Sequence, residues 1–174
     1  MRLVDKHAVP WMSWLGFAVR PMMPAFMDAV TTVIGDTVYL PGPPASLDRT
    51  ELARILAHEL VHQLDQADHG GWFYASYAAV PAPVGRTMRA YWERRAYAVD
   101  LLLAWHDGGE PALARAADHV ARLFSGPAYG FMWAGSDAAR AYLAPVVDDV
   151  RSGALARRAP YREILAAWTG EETW

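Results

Sequence analysis

The sequence predicts an α+β domain that is mostly helical and carries a small β-sheet near its start. Two observations support the fold class. Residues 31–41, TTVIGDTVYLP, place β-branched and aromatic residues on both sides of a Gly-Asp pair, which is typical of a strand or hairpin. After the GPPAS break, apolar residues recur at helical spacing through most of the remaining chain.

Composition narrows the class of protein. The chain has 174 residues, of which 53% are hydrophobic and 20% charged, as expected for one globular domain spanning 1–174. Its net charge of −3 argues against nucleic acid or an anionic membrane surface as a partner. The absence of cysteine excludes disulfide frameworks and thiolate metal sites. The sequence makes no prediction of oligomeric state.

The N-terminal segment, residues 1–30, contains an apolar patch at residues 9–19. Asp5 and His7 interrupt the region before it, and no Ala-x-Ala site follows, so the segment does not have the layout of a signal peptide. The patch is too short to span a bilayer. We therefore expect a packed segment, no transmembrane helix and a cytoplasmic location, with secretion by a non-classical route as the alternative.

The remaining elements follow from local signals. Asp48 and Glu51 form a capping-box pattern ahead of an apolar periodic run, which predicts a helix over 49–66. The aromatic and Pro-broken stretch at 72–85 predicts a loop. A metal-site core is expected at 31–106, followed by C-terminal helices at 107–174. The other predicted helices are 24–30, 86–106 (stopped by DGGEP), 111–124, 136–151 and 161–168.

The most informative stretch is RILAHELVHQLDQADH, residues 54–69. His58 and His62 are four residues apart, so both imidazoles lie on one face of the predicted helix and can reach one zinc ion. Glu59 follows the first histidine, where its carboxylate can act as a general base without binding the metal. The pattern thus predicts two zinc ligands and the catalytic base of a hydrolase.

A third ligand has to come from another position. Glu93, in YWERRAYAVD, lies on the next long helix, and Ala96 one turn later would allow that helix to approach closely. Asp100, two turns after Glu93, could orient a ligand histidine through its other ring nitrogen. We expect Glu93 to be the ligand and Asp100 to support it.

Asp68 is the alternative third ligand. Its distance from His58 matches an elongated zinc motif that ends in His or Asp, but that motif turns under the metal at a glycine, and the corresponding position here is Asp65. His69 is one residue out of register with the same motif. Glu93 is therefore preferred.

These residues together resemble a known group of enzymes. The order of strand, Pro/Gly break, LAHELVHQLDQ, aromatic loop and ERRAYAVD is similar to that of the gluzincin-type zincin metallopeptidases, and most of all to the compact bacterial HExxH domains. The resemblance covers residues 31 to about 104. It implies a zincin-like fold with Zn²⁺ on His58, His62 and Glu93, and Glu59 as general base. It also implies a peptide or protein substrate, paired with the strand at Thr37–Leu40 as a sheet edge.

Two features depart from that pattern. Arg95 stands where the group has a second acidic residue, and no single residue is assigned to steady the oxyanion. GGWFYASY could form a wall of the substrate cleft.

A non-catalytic zincin-like module that binds a peptide or a partner is the alternative function. The oxyanion candidates are Tyr74, Tyr77, Tyr91, His106 and His119.

Overall fold

A computed structural model describes residues 1–21, 23–78 and 87–170 of the chain. These ranges are mostly helical, with one small sheet, which confirms the α+β prediction. In chain order the elements are β1 (Arg2–Asp5), α1 (Pro10–Val19), α2 (Phe26–Ala29), β2 (Thr32–Ile34), β3 (Thr37–Leu40), α3 (Arg49–His69), α4 (Gly71–Ala78), α5 (Met88–Phe124), α6 (Ser136–Arg151) and α7 (Tyr161–Thr169).

The sheet is built on the predicted hairpin. Strands β2 and β3 are antiparallel, and the turn between them contains Gly35 at φ +59°, a conformation that favours glycine. Strand β1, which the sequence did not predict, pairs in parallel with β3, so that the strand order is β1-β3-β2. The expectation that Thr37–Leu40 is a sheet edge is therefore wrong. Strands β1 and β2 are the two edges instead, because they pair with β3 on either side.

Helix α3 begins where the sequence places it. The Asp48 side chain accepts a hydrogen bond from the Glu51 backbone N–H at 2.8 Å, which satisfies one free donor of the first turn. The helix runs to His69, three residues beyond the predicted end. Its apolar side packs on the sheet through Leu52, Ile55 and Leu56.

The loop predicted at 72–85 is wrong over its first part, because residues up to Ala78 form α4. Phe73 is buried and stacks on Tyr77 with ring centroids 5.6 Å apart. Ser76 accepts a hydrogen bond from the Trp92 indole of α5 at 3.0 Å. Such contacts between elements stabilise a helix whose own sequence lacks amphipathic spacing. Residues 79–85 of the predicted loop, and the predicted helix start at Arg86, lie outside the described residues.

Helix α5 crosses α3 at the centre of the molecule. Ala96 is fully buried and belongs to the same apolar cluster as Val61 of α3, as expected for a small residue at a close helix contact. The DGGEP stretch interrupts α5, since Gly108 and Gly109 have non-helical backbone angles. Helices α6 and α7 pack against α5, and their bounds agree with the prediction to within one residue.

The expected packing of the N-terminal segment is found in part, since Trp11 and Met12 of α1 lie against Tyr39 of β3. Lys6 is fully buried, and its ammonium donates to the backbone carbonyls of Phe26 (3.0 Å) and Val30. Trp14 and Phe17 of α1 remain about three-quarters exposed. Within the described ranges, no helix combines the length and the apolar character that crossing a bilayer requires.

Candidate metal centre

Three side chains from two helices converge at the crossing of α3 and α5. His58 and His62 point from one face of α3, and Glu93 points towards them from α5. The Glu93 Oε2 atom lies 3.9 Å from His58 Nε2 and 3.8 Å from His62 Nε2. All three residues are buried, and one ligand atom from each falls within 4.8 Å of the others. The arrangement can hold a metal ion.

The hydrogen bonds of the group leave the ligand atoms free. Among the described residues, Glu93 Oε2 has no hydrogen-bond partner although it is buried, whereas Oε1 accepts from the Tyr77 hydroxyl. His58 Nδ1 lies 2.7 Å from Asp100 Oδ2, so Nε2 is left to face Glu93. A buried carboxylate oxygen without a donor is costly, and a cation would satisfy it.

The dimensions of the group also suit a small cation. A tetrahedral zinc ion with bonds of 2.0–2.1 Å separates its ligand atoms by about 3.4 Å. The observed separations of the Glu93 oxygen from the two histidine nitrogens, 3.8 and 3.9 Å, exceed this value by only about half an ångström. The donor set, two imidazoles and one carboxylate, fits zinc and other first-row divalent metals.

The electrostatics favour a charged carboxylate at Glu93. Burial alone would raise the pKa of Glu93, but the His62 and His58 rings and the Arg89 guanidinium lower it to about 2. Burial alone would lower the pKa of His58, but the adjacent Asp100 carboxylate outweighs it and raises the pKa to about 9. His58 therefore carries a proton at neutral pH, and an ion that bound there would have to displace it.

Glu59 lies beside His58, His62 and Glu93 but is not part of the group that could hold an ion. It is 5% exposed and lines two cavities, one of about 370 Å³ and one of about 280 Å³, that meet at His58 and Glu59. Burial raises the pKa of Glu59, and the two histidines partly oppose this effect. A carboxylate with a raised pKa that lines a cavity beside a group able to hold a metal is placed to exchange protons.

The larger cavity has mostly apolar walls. The N-terminal segment forms one wall through Leu15, Val19 and Phe26, and α4 forms another through Phe73 and Tyr77. The expectation that GGWFYASY borders the cleft therefore agrees with the position of α4. Trp72 of the same stretch is 60% exposed, and it does not line this cavity.

The hairpin is attached to α3 through two side chains, Gln63 and Gln66. Gln63 donates to the Gly35 carbonyl at 3.1 Å. Gln66 of α3 accepts from the Gly35 backbone N–H at 3.0 Å and donates to the Val33 carbonyl at 3.2 Å. The Tyr74 hydroxyl donates to the same Gln66 oxygen at 2.6 Å. These bonds hold edge strand β2 next to His62, and they use the backbone carbonyl that Val33 presents away from β3.

The other candidates lie elsewhere. Asp68 is exposed near the end of α3, where the helix continues without turning back, so it does not join the ligands as the alternative prediction required. His69 is exposed as well. Among the oxyanion candidates, Tyr77 and Tyr74 line the cavity, each with its hydroxyl already donating, while Tyr91, His106 and His119 are on exposed surface.

Arg95, which stands where the resembled group has a second acidic residue, forms an ion pair with Asp65. Its guanidinium bonds both oxygens of Asp65, at 2.8 to 3.1 Å, and Asp65 is fully buried. Asp65 stands at the position where the elongated zinc motif has its turning glycine. Its ion pair with Arg95 connects α3 to α5.

Two side chains near the site were not predicted. Arg89 lines the large cavity, and its position one helical turn before Glu93 was the signal in the sequence. Lys6 fixes the wall formed by α2, but a lone lysine in an apolar segment gave no indication of this role. No family model, curated protein or solved structure matches the chain.

Proposed function

We propose that the chain is a zinc-dependent metallopeptidase of zincin type in which Glu59 is the general base. The observation that carries the proposal is the buried Glu93 oxygen without a donor, facing two histidine nitrogens from another helix, with Glu59 open to the cavity beside them. His58, His62 and Glu93 would hold the ion. When bound, zinc supplies a Lewis acid that polarises a carbonyl and acidifies water.

The chain's own residues supply the rest of the reaction. Glu59 accepts a proton from the attacking water and delivers it to the leaving amine, which its position between two cavities allows. Asp100 orients His58 and stabilises its positive polarisation. Tyr77 holds Glu93 Oε1, leaving the other oxygen for the ion. The apolar walls exclude bulk water from the reacting groups.

The test separates metal binding from catalysis. The protein purified without chelator is expected to contain one zinc per chain by elemental analysis and to cleave members of a peptide pool, detected by mass spectrometry. Glu59→Gln should retain the zinc and lose at least about 100-fold in rate, because the proton acceptor is removed. Glu110→Gln, an exposed glutamate that pairs with Arg151, is the matched control and should behave as wild type.

One observation favours the partner-binding form of the second candidate, a non-catalytic module. The Val33 carbonyl that edge strand β2 would offer to an extended peptide substrate is already bonded to Gln66, which disfavours pairing of any peptide with this strand. This function predicts zinc in the protein without turnover of any peptide. Cleavage that depends on Glu59 would exclude it, whereas zinc content with no cleavage in wild type would refute the peptidase.

A further inference from the structure

The large cavity contains one permanently cationic side chain among the described residues that line it. That residue is Arg89, one turn before Glu93 on α5, and its neighbours in the cavity are mostly apolar or aromatic. A guanidinium has five N–H donors and keeps its charge at any physiological pH. Its surroundings therefore determine whether it is fully paired or still available to a ligand.

The described contacts of Arg89 do not include a carboxylate partner. Its guanidinium lies over the rings of Tyr77 and Tyr129, at 5.3 and 5.6 Å from their centroids, and one terminal nitrogen approaches the Met23 sulfur at 3.1 Å. Within the described ranges, its buried Nε has no hydrogen-bond partner, and no carboxylate oxygen lies within 4.0 Å of its nitrogens. The Tyr77 hydroxyl, whose own hydrogen goes to Glu93, also interacts with the Arg89 side chain. A neutral hydroxyl, a thioether sulfur and ring faces are weak partners for a half-buried cation.

The negative charge of Glu93 stabilises the Arg89 guanidinium at a distance, but both Glu93 oxygens face other groups. Oε1 accepts from Tyr77, and Oε2 faces the two histidines. Once an ion binds Glu93, the divalent charge more than offsets the carboxylate charge that now stabilises the guanidinium. A half-buried cation left in that state lacks charge compensation unless an anionic acceptor enters the cavity.

We propose that Arg89 binds a carboxylate of the substrate, with an apolar substrate side chain against the cavity walls beside it. The inference rests on the proposed function for the identity of the substrate as a peptide. Arg89 and Glu93 are neighbours on one helix face, with Cβ atoms about 5–6 Å apart. Since a residue spans about 3.5 Å, the bound carboxylate belongs within one or two residues of the scissile bond.

Two sources can supply that carboxylate: the C-terminus of a peptide, or an Asp or Glu side chain next to the cleaved bond. The test uses the zinc-loaded Glu59→Gln protein, which binds without turnover, and three N-acetylated tetrapeptides ending in Phe-Leu. One has a free C-terminal acid, one has a C-terminal amide, and one has the amide with an internal Glu. Dissociation constants are measured by calorimetry.

At least one carboxylate-bearing peptide should bind about tenfold or more tightly than the neutral amide, and Arg89→Met in the same background should remove the difference. The free acid or the internal Glu peptide, whichever binds better, identifies the source. Arg94→Met is the matched control, because Arg94 lies on the same helix over the Tyr142 ring, away from the cavity. It should keep the full preference.

Three results would overturn the inference. These are equal binding of acids and amide, an acid preference that survives Arg89→Met because the carboxylate binds the ion directly, and no binding of any of the three peptides. The first comparison needs no Arg89 variant, so it holds even if Arg89→Met fails to fold. Cleavage by wild type without an acid preference would refute the role of Arg89 alone, and an acid preference without cleavage would refute the peptidase alone.

Discussion

The bond between Asp100 and His58 gives a prediction about metal affinity that depends on pH. Asp100→Asn keeps the size of the side chain and removes its charge, so His58 loses the anion 2.7 Å from its Nδ1. Replacing a carboxylate that supports a ligand histidine typically weakens metal binding by about 10- to 100-fold. The same carboxylate, however, also stabilises the protonated histidine that competes with the metal.

The size of that competition follows from the pKa. In the metal-free wild type the pKa of His58 is raised to about 9, with burial opposing the shift and Asp100 causing it. At pH 7 a proton must therefore be displaced at a cost of about 100-fold in apparent affinity, and this cost falls to about twofold at pH 9. In Asp100→Asn the pKa of His58 falls towards its ordinary value or below, and most of the competition disappears.

The two effects oppose each other at neutral pH and separate at high pH. We expect Asp100→Asn to bind zinc about 10- to 100-fold more weakly than wild type at pH 9, with a much smaller difference at pH 7. Affinities are measured by competition with a chromophoric chelator from pH 6.5 to 9.5. Between pH 7 and 9 the logarithm of the zinc affinity should rise more steeply with pH for wild type than for Asp100→Asn. The wild-type slope should reach up to about one log unit per pH unit.

Asp118→Asn is the control, since Asp118 lies on the same helix and pairs with arginines at the surface. Its titration should superimpose on that of wild type. Parallel curves for Asp100→Asn and wild type would refute the reasoning, because they would mean that Asp100 does not control the protonation of His58.

Three further predictions concern stability. Arg95→Met leaves the buried Asp65 carboxylate without its partner and should lower the free energy of unfolding by about 3 kcal/mol, measured by urea denaturation. The pKa of Lys6 is lowered by burial from 10.5 to about 8, so the unfolded chain binds the extra proton between these values, and the stability of wild type relative to Lys6→Met should rise by about 3 kcal/mol from pH 8 to 10.5. A chelator should lower the Tm of the zinc-loaded wild type but not that of Glu93→Ala, since only a protein that binds the ion gains stability from it.

Each of these has a control or an opposing result. Arg162→Met removes an exposed ion pair with Glu163 and should change stability by less than about 0.5 kcal/mol. A flat pH difference between wild type and Lys6→Met would show that the Lys6 amine is hydrated rather than buried. An equal chelator effect on wild type and Glu93→Ala would place the ion somewhere other than this group.

Much of the helical framework could be predicted from the sequence because the signals that specify it are local. The cap at Asp48 predicts the start of helix α3, and the spacing of His58 and His62 predicts that both lie on one face of it. The glycines of DGGEP predict the interruption of α5. Each signal acts through residues within one or two turns. Ala96 correctly indicated where α5 approaches α3. The position of Glu93 beside His58 and His62 could be inferred from these signals. That this group binds a metal, and that Glu59 is a catalytic base, stay predictions.

Local patterns therefore predicted helices α2, α3, α5, α6 and α7, the hairpin and the residues that could bind a metal, but not helices α1 and α4. Tertiary structure alone decided the parallel pairing of β1 with β3, which turned the expected edge strand into the central one. It also turned part of a predicted loop into α4 and brought Arg89 into an apolar cavity. Each of these depends on contacts between residues distant in the chain, whose free energy no local pattern of side chains encodes.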